Sequence, residues 1–140
     1  MTPHKCQVMH SPERGFYGDC LRACIASVLD MEPATVPHFY QDGCDSIEGE
    51  KRIVAFLRTL NLGTFCAYFP GSVPLQDLLD HMAHDSSPDV CQILFCSVNG
   101  GNHAVVIQNG RVIHDPALYV VRNYSPVDFG VWVVMVLVKL

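Results

Sequence analysis

Within Gly18-Asp19-Cys20-Leu21-Arg22-Ala23-Cys24-Ile25-Ala26-Ser27-Val28-Leu29, the apolar residues Leu21, Cys24, Ile25, Val28 and Leu29 recur at i, i+3, i+4, i+7 and i+8. That is the period of a helix with one apolar stripe, so the segment is expected to lie on a core. Gly18 and Asp19 form a turn followed by a preferred N-cap type, which sets Cys20 in the first turn. There the partial positive charge of the helix N-terminus favours a thiolate, and a cysteine so placed, with a histidine beside it, can titrate well below about 8.5. Most cysteines serve packing. The position of this one, taken with residues downstream, marks it as a nucleophile candidate.

Working outward, residues 4–17 carry no sustained period and are expected to be a loop. After Leu29 the prolines at Pro33 and Pro37 allow no more than a short turn, so the first helix should end near Asp30. A second helix is signalled from Asp45 or Ser46 to about Leu60, with Ile53, Phe56, Leu57 and Leu60 on its apolar face and a stop at Asn61 and Gly63. Thr64 to Phe69 suits a strand closed by Pro70-Gly71. A third helix follows from near Pro74 through Leu75, Leu78, Leu79 and Met82, and Asp85 to Asp89 breaks it. Val90–Val98, His103–Ile107, Arg111–Ile113 and Val131–Val138 read as strands, with Asn109-Gly110 a tight hairpin turn. Helices mainly first and strands mainly last predict an α+β fold, with the cysteine helix and its fellows packed on one face of a small antiparallel sheet. The 140 residues fit a single domain spanning 1–140.

The bulk composition narrows the classes. With 49% hydrophobic and 16% charged residues, the chain is of globular rather than disordered type. The net charge is −5 and the 9 Lys and Arg are scattered, which argues against a nucleic-acid partner. Met1 to Gln7 has no signal-peptide or lipidation pattern, and the apolar run from Gly130 to Leu140 is about half of the roughly 20 residues a membrane helix needs. Seven cysteines without a secretory signal suggest reduced thiols, so a cytoplasmic location is expected and no membrane partner.

Cysteine catalysis needs a base for the thiol, a group that orients the base, and donors for the oxyanion. His103, in Gly100-Gly101-Asn102-His103-Ala104-Val105-Val106, begins a strand after a glycine pair and is a candidate base. Asp115, in His114-Asp115-Pro116, ends the next strand. A turn at Asn109-Gly110 sets residue 103 opposite 116, one position from Asp115, so the carboxylate can orient the imidazole as the third member of a triad does. Cys44, Cys66, Cys91 and Cys96 read as packing residues, and Cys24 as core or as a resolving thiol one turn from Cys20. His4, His10, His38, His81 and His84 read as solvated or loop-bound. Cys20, Cys24, His103 and His114 are zinc-ligand types, but their spacing matches no standard site, so neither metal nor cofactor is expected.

Gln7, Gly18-Asp19-Cys20 with Ala23-Cys24, His103-Ala104-Val105-Val106 and Asp115-Pro116 together resemble the papain-like cysteine peptidases. The nearest pattern is that of the bacteriocin-processing peptidase domains of ABC exporters and the short phage-encoded proteins related to them. The likeness follows most of the chain in order, and three short motifs are its specific part. It implies a papain-like fold with Cys20 as nucleophile, His103 as base, Asp115 as orienting carboxylate and Gln7 as side-chain donor of the oxyanion hole. Two departures stand out. Leu21 occupies a position where the exporter peptidases usually carry glycine, and the separation of Gln7 from Cys20 is longer than usual.

The expected function is a papain-like thiol hydrolase that opens a peptide or isopeptide amide through an acyl-enzyme, in cytoplasm (the host's, if the gene is phage-borne). The same residues would serve an amidase, a deamidase or an acyltransferase. A non-catalytic module that sequesters a ligand in the Cys20 cleft is the reading from a different class.

Overall fold

The computed structural model describes residues 1–140. Three helices, α1 (Cys20–Val28), α2 (Ser46–Thr59) and α3 (Leu75–Asp85), accompany five strands. The strands are β1 (Leu62–Pro70), β2 (Gln92–Val98), β3 (Gly101–Gln108), β4 (Arg111–His114) and β5 (Val131–Lys139). They form one antiparallel sheet in the order β1-β5-β2-β3-β4. Single 3-10 turns occupy Pro12–Arg14 and Pro33–Thr35, the second where the closely spaced prolines forbid anything longer.

Local chemistry accounts for the element ends. Asp45 caps α2 by accepting the Glu48 N–H at 2.9 Å. Arg52, partly exposed, clamps the preceding loop, donating to the Phe39 carbonyl at 2.9 Å and to the Asp42 carboxylate at 2.8 and 3.0 Å. Gly49, buried inside α2, is required because the Tyr40 ring lies where a Cβ would be. Both short hairpins turn on an Asn-Gly pair with positive φ at both residues, Asn99-Gly100 between β2 and β3 and Asn109-Gly110 between β3 and β4. Gly100, the first of the glycine pair before His103, thus belongs to a tight turn that pairs Val98 with Gly101 and Cys96 with His103.

Two expectations about the sheet are corrected. The helices do not share one face: α1 and α2 cover one side, and α3 covers the other. Alternation along the strands divides the core accordingly. Ile93, Ala104, Val106 and Met135 pack with Leu21, Cys24, Ile25, Ile53 and Leu57, whereas Leu94, Val105, Ile107 and Val134 pack with Leu78, Leu79 and Trp132. The unbroken apolar character of β2, β3 and β5 is that of strands buried on both faces. The β3–β4 register also slips. Ile107 pairs with Val112 as the turn dictates, but Val106 pairs with His114, so a bulge intervenes and the pairing expected between 103 and 116 is not formed.

The N-terminal residues lie as a strap over α1. Thr2 N–H donates to the Ser27 carbonyl at 3.1 Å and His4 N–H to the Ser27 hydroxyl at 2.9 Å. On its other side the Cys6 N–H donates to the Pro116 carbonyl at 2.8 Å, and the Lys5 ammonium donates to the carbonyls of Asp115 and Ala117 at 2.8 and 3.1 Å. The strap thus joins the cysteine helix to the segment that carries Asp115.

Candidate active site

Cys20 is the first residue of α1 and is partly exposed. Its N–H belongs to the first turn and has no intrahelical carbonyl to bond, so it remains a donor facing outward from the helix end. Asp19 is not the cap it was expected to be. Its side chain makes no capping bond to α1. It turns toward the strap, where it accepts the Gln7 N–H at 3.0 and 3.2 Å and the Val8 N–H at 3.0 Å. Arg22 closes the arrangement with Nε at 3.0 Å and Nη2 at 2.7 Å from the same carboxylate, which is 2% exposed. The long loop from residue 8 to 18 therefore returns Gln7 beside the residue that precedes Cys20. The Gln7 side chain is exposed.

His103 stands near the start of β3, buried, and α1 packs along that strand. Its Nε2 lies 2.7 Å from Asp115 Oδ1. That leaves Nδ1 as the ring nitrogen free to exchange a proton with Cys20. Asp115 is itself held: its Oδ1 also accepts the Ala117 N–H at 2.9 Å, and its Oδ2 accepts the Tyr124 hydroxyl at 2.7 Å. Burial alone would lower the His103 pKa, yet the hydrogen bond to Asp115 and the neighbouring Cys20 sulfur outweigh it and lift the group from 6.5 to about 9. Asp115 moves the opposite way. Burial raises it, but the bonds from His103, Ala117 and Tyr124 prevail and hold it below the usual carboxylate value. The imidazole therefore carries its proton over the neutral range.

The other thiols are of a different kind. All seven cysteines are free. Cys24 is fully buried in the core, where burial drives its thiol well up, so the resolving role considered for it has no accessible sulfur. Burial pushes Cys96 up to about 12. Cys6 sits beside the site, and burial together with the charges of Cys20, Asp19 and Asp115 pushes it up to about 12 as well. The four ligand types considered for zinc do not meet: Cys24 faces the core, and His114 Nε2 is turned 2.6 Å from the His4 carbonyl. No group of three or more His, Cys, Asp or Glu side chains is arranged to hold a metal ion. No helix is long and apolar enough to cross a membrane.

Sequence reasoning missed three members of this neighbourhood. Tyr124 follows Asp115 in a segment without a period, and only folding brings its hydroxyl to the carboxylate. Arg22 and Cys6 carry no assigned role in the sequence. Tyr124 and Cys6 carry no local pattern that singles them out, whereas the Asp-x-x-Arg spacing at the start of α1 does announce the Asp19–Arg22 pair.

The architecture is that of an α+β protein with a five-stranded antiparallel sheet between helices, and it holds a buried histidine bonded to a carboxylate and neighboured by a thiol. Compared with known protein families, with characterised proteins and with solved structures, the chain finds no match.

Proposed function

We propose that the protein is a papain-like thiol hydrolase acting in the cytoplasm on a peptide or isopeptide amide. The observation that carries this reading is the His103 ring, bonded through Nε2 to Asp115 at 2.7 Å and raised further by the sulfur of Cys20 at a helix N-terminus. In the forward step the Cys20 sulfur attacks the amide carbonyl, a C–S bond forms, and the negative oxygen that results is met by the Cys20 N–H. Gln7 is the side-chain donor assigned to the same oxygen, and its backbone is pinned beside Asp19. His103 then passes its proton to the leaving nitrogen as the C–N bond breaks. Water, losing a proton to His103, adds to the thioester carbonyl; the C–S bond then breaks, the carboxylic acid leaves, and the Cys20 sulfur and the protonated imidazole are restored.

Reaction of Cys20 with iodoacetamide at pH 6, read by mass spectrometry, tests the pairing. Cys20 of the wild type should react about tenfold or more faster than Cys44, which is also partly exposed, and His103→Ala should abolish the advantage. Equal rates for the two cysteines, or an advantage that survives the substitution, would refute the hydrolase reading in favour of a ligand-sequestering module.

A further inference from the structure

From Ala117 to Tyr124 the chain forms a loop whose two ends hold one carboxylate: the Ala117 N–H donates to Asp115 Oδ1 and the Tyr124 hydroxyl to Oδ2. Just beyond, Ser125 and Ser97 exchange backbone bonds of 2.7 and 3.0 Å, so the loop leans on the end of β2. A pocket of about 270 Å³ opens between this loop and the β2–β3 turn, lined by Val98, Asn99, Val120, Val121, Arg122 and Asn123. Both walls are fastened to the chemistry. One ends at Asp115, and the other leads through the Asn99-Gly100 turn to His103. Val98 pairs with Gly101 and Cys96 with His103, so the pocket begins two residues along the ladder from the imidazole. At strand spacing that is roughly 7 Å, the span of two residues of extended peptide.

The lining has a definite chemistry. The Arg122 guanidinium and the carboxamides of Asn99 and Asn123 make no ion pair or side-chain hydrogen bond within the protein, and they share the pocket with three valines. A planar guanidinium matches a carboxylate through two parallel N–H bonds, carboxamide N–H groups add donors, and valine methyls cover the methylenes of the side chain that bears it. A single cation in a chain of net charge −5 suits a monoanion rather than a phosphate dianion.

We propose that this pocket is a carboxylate-binding subsite, selecting substrates with a Glu or Asp side chain, or a C-terminal carboxylate, about two residues from the scissile amide. Its place relative to the scissile bond rests on the Cys20 hydrolase reading; its affinity for carboxylate does not.

The test has two arms. In the first, Cys20→Ala protein labelled with 15N is titrated with N-acetylglutamic acid α-amide, which carries only a side-chain carboxylate. N-acetylalanine supplies only a terminal carboxylate, and N-acetylglutamine α-amide is the neutral control. At least one carboxylate probe should shift the amide signals of Val98, Asn99 and residues 120–123 while the neutral probe does not, and the stronger of the two identifies the source. Arg122→Ala should weaken that binding about tenfold or more. Arg122 is exposed, so the substitution is not expected to disturb folding. Absence of shifts with both carboxylates, or shifts untouched by Arg122→Ala, would overturn the subsite. In the second arm, wild type and Arg122→Glu digest a library of proteome-derived peptides. Acidic residues or chain ends should be enriched within three positions of the wild-type cuts, and the enrichment should vanish or invert in the variant. Cleavage without such enrichment overturns the proposed selectivity, whereas carboxylate binding without cleavage of any peptide upholds the pocket and overturns the hydrolase reading.

Discussion

His103 and Asp115 pull each other's proton affinities apart, and the pH dependence of the fold follows from the directions. His103 is raised from 6.5 to about 9, so its contribution to stability is complete below about pH 6.5 and disappears as the pH rises through about 9. Asp115 is lowered from its usual 3.8, so its contribution is present above that value and lost as the pH falls through the folded pKa. Between about pH 4 and 6.5 both contributions are in force. Replacing Asp115 with Asn removes the charge and much of the hydrogen bonding that offset burial of the ring. The His103 titration, followed by NMR of the imidazole carbons, should then fall from about 9 toward 6.5 or below. A ring that still titrates near 9 in Asp115→Asn would mean that Cys20 alone holds the proton. Tyr124 belongs to the same balance, because its hydroxyl is the partner that keeps Oδ2 of Asp115 from turning toward solvent.

At the scale of elements, Asp19 separates two accounts of how α1 begins. An N-cap of ordinary kind is worth about 1 kcal/mol when cut back to alanine. The structure instead shows a carboxylate 2% exposed, paired with Arg22 and accepting two backbone N–H groups from the strap. Removing one member of a buried ion pair costs about 3–5 kcal/mol, since the other charge stays behind unpaired. Urea unfolding of Asp19→Ala should therefore show a loss in that higher range, with a smaller one for Asp19→Asn; a loss near 1 kcal/mol would return Asp19 to the role of a cap. The element boundaries themselves were legible. Proline spacing, the Asp45 cap and the apolar periods of Leu21 to Leu29 and Ile53 to Leu60 are local facts, and local facts are what residue order carries. Where Asp19 points is not local, because its partners Gln7 and Val8 become neighbours only after the loop has closed. The two-faced sheet was written more openly: Val105 and Ile107 are as apolar as Ala104 and Val106, and such a strand needs cover on both sides. The order of helices before strands hid it, because order along the chain does not say which face α3 will take.

For the molecule as a whole, the candidate site depends on pieces distant in sequence, which explains why its residue types were readable and its assembly was not. Cys20, His103 and Asp115 could be named from chemistry and spacing. The β3–β4 bulge, which undid the simple pairing argument, and the strap, which crosses from Ser27 to Pro116, could not. The strap also sets the last expectation. Residues 1–8 are held by bonds to Ser27 and Asp19 on one side and to His114, Pro116 and the Asp115 and Ala117 carbonyls on the other. Each such bond contributes about 1 kcal/mol net, while ordering a backbone residue costs about 1–2 kcal/mol, so the strap is near balance and its bonds serve position more than stability. The core clusters on both faces of the sheet include no residue from it. Deleting residues 1–8 should therefore leave the far-UV circular dichroism of the folded sheet and helices in place, with a stability loss of about 2–4 kcal/mol, chiefly at the buried Asp19 carboxylate, which keeps Arg22 but loses the Gln7 and Val8 N–H groups. Reactivity should suffer more. With the tie between α1 and the Asp115 segment gone, the alkylation rate of Cys20 at pH 6 should drop about tenfold, since a shift of about an ångström at a reacting pair is enough for losses of that order. A truncated protein that is folded and alkylated at the wild-type rate would show that packing of α1 on β3 suffices to align the thiol and the imidazole.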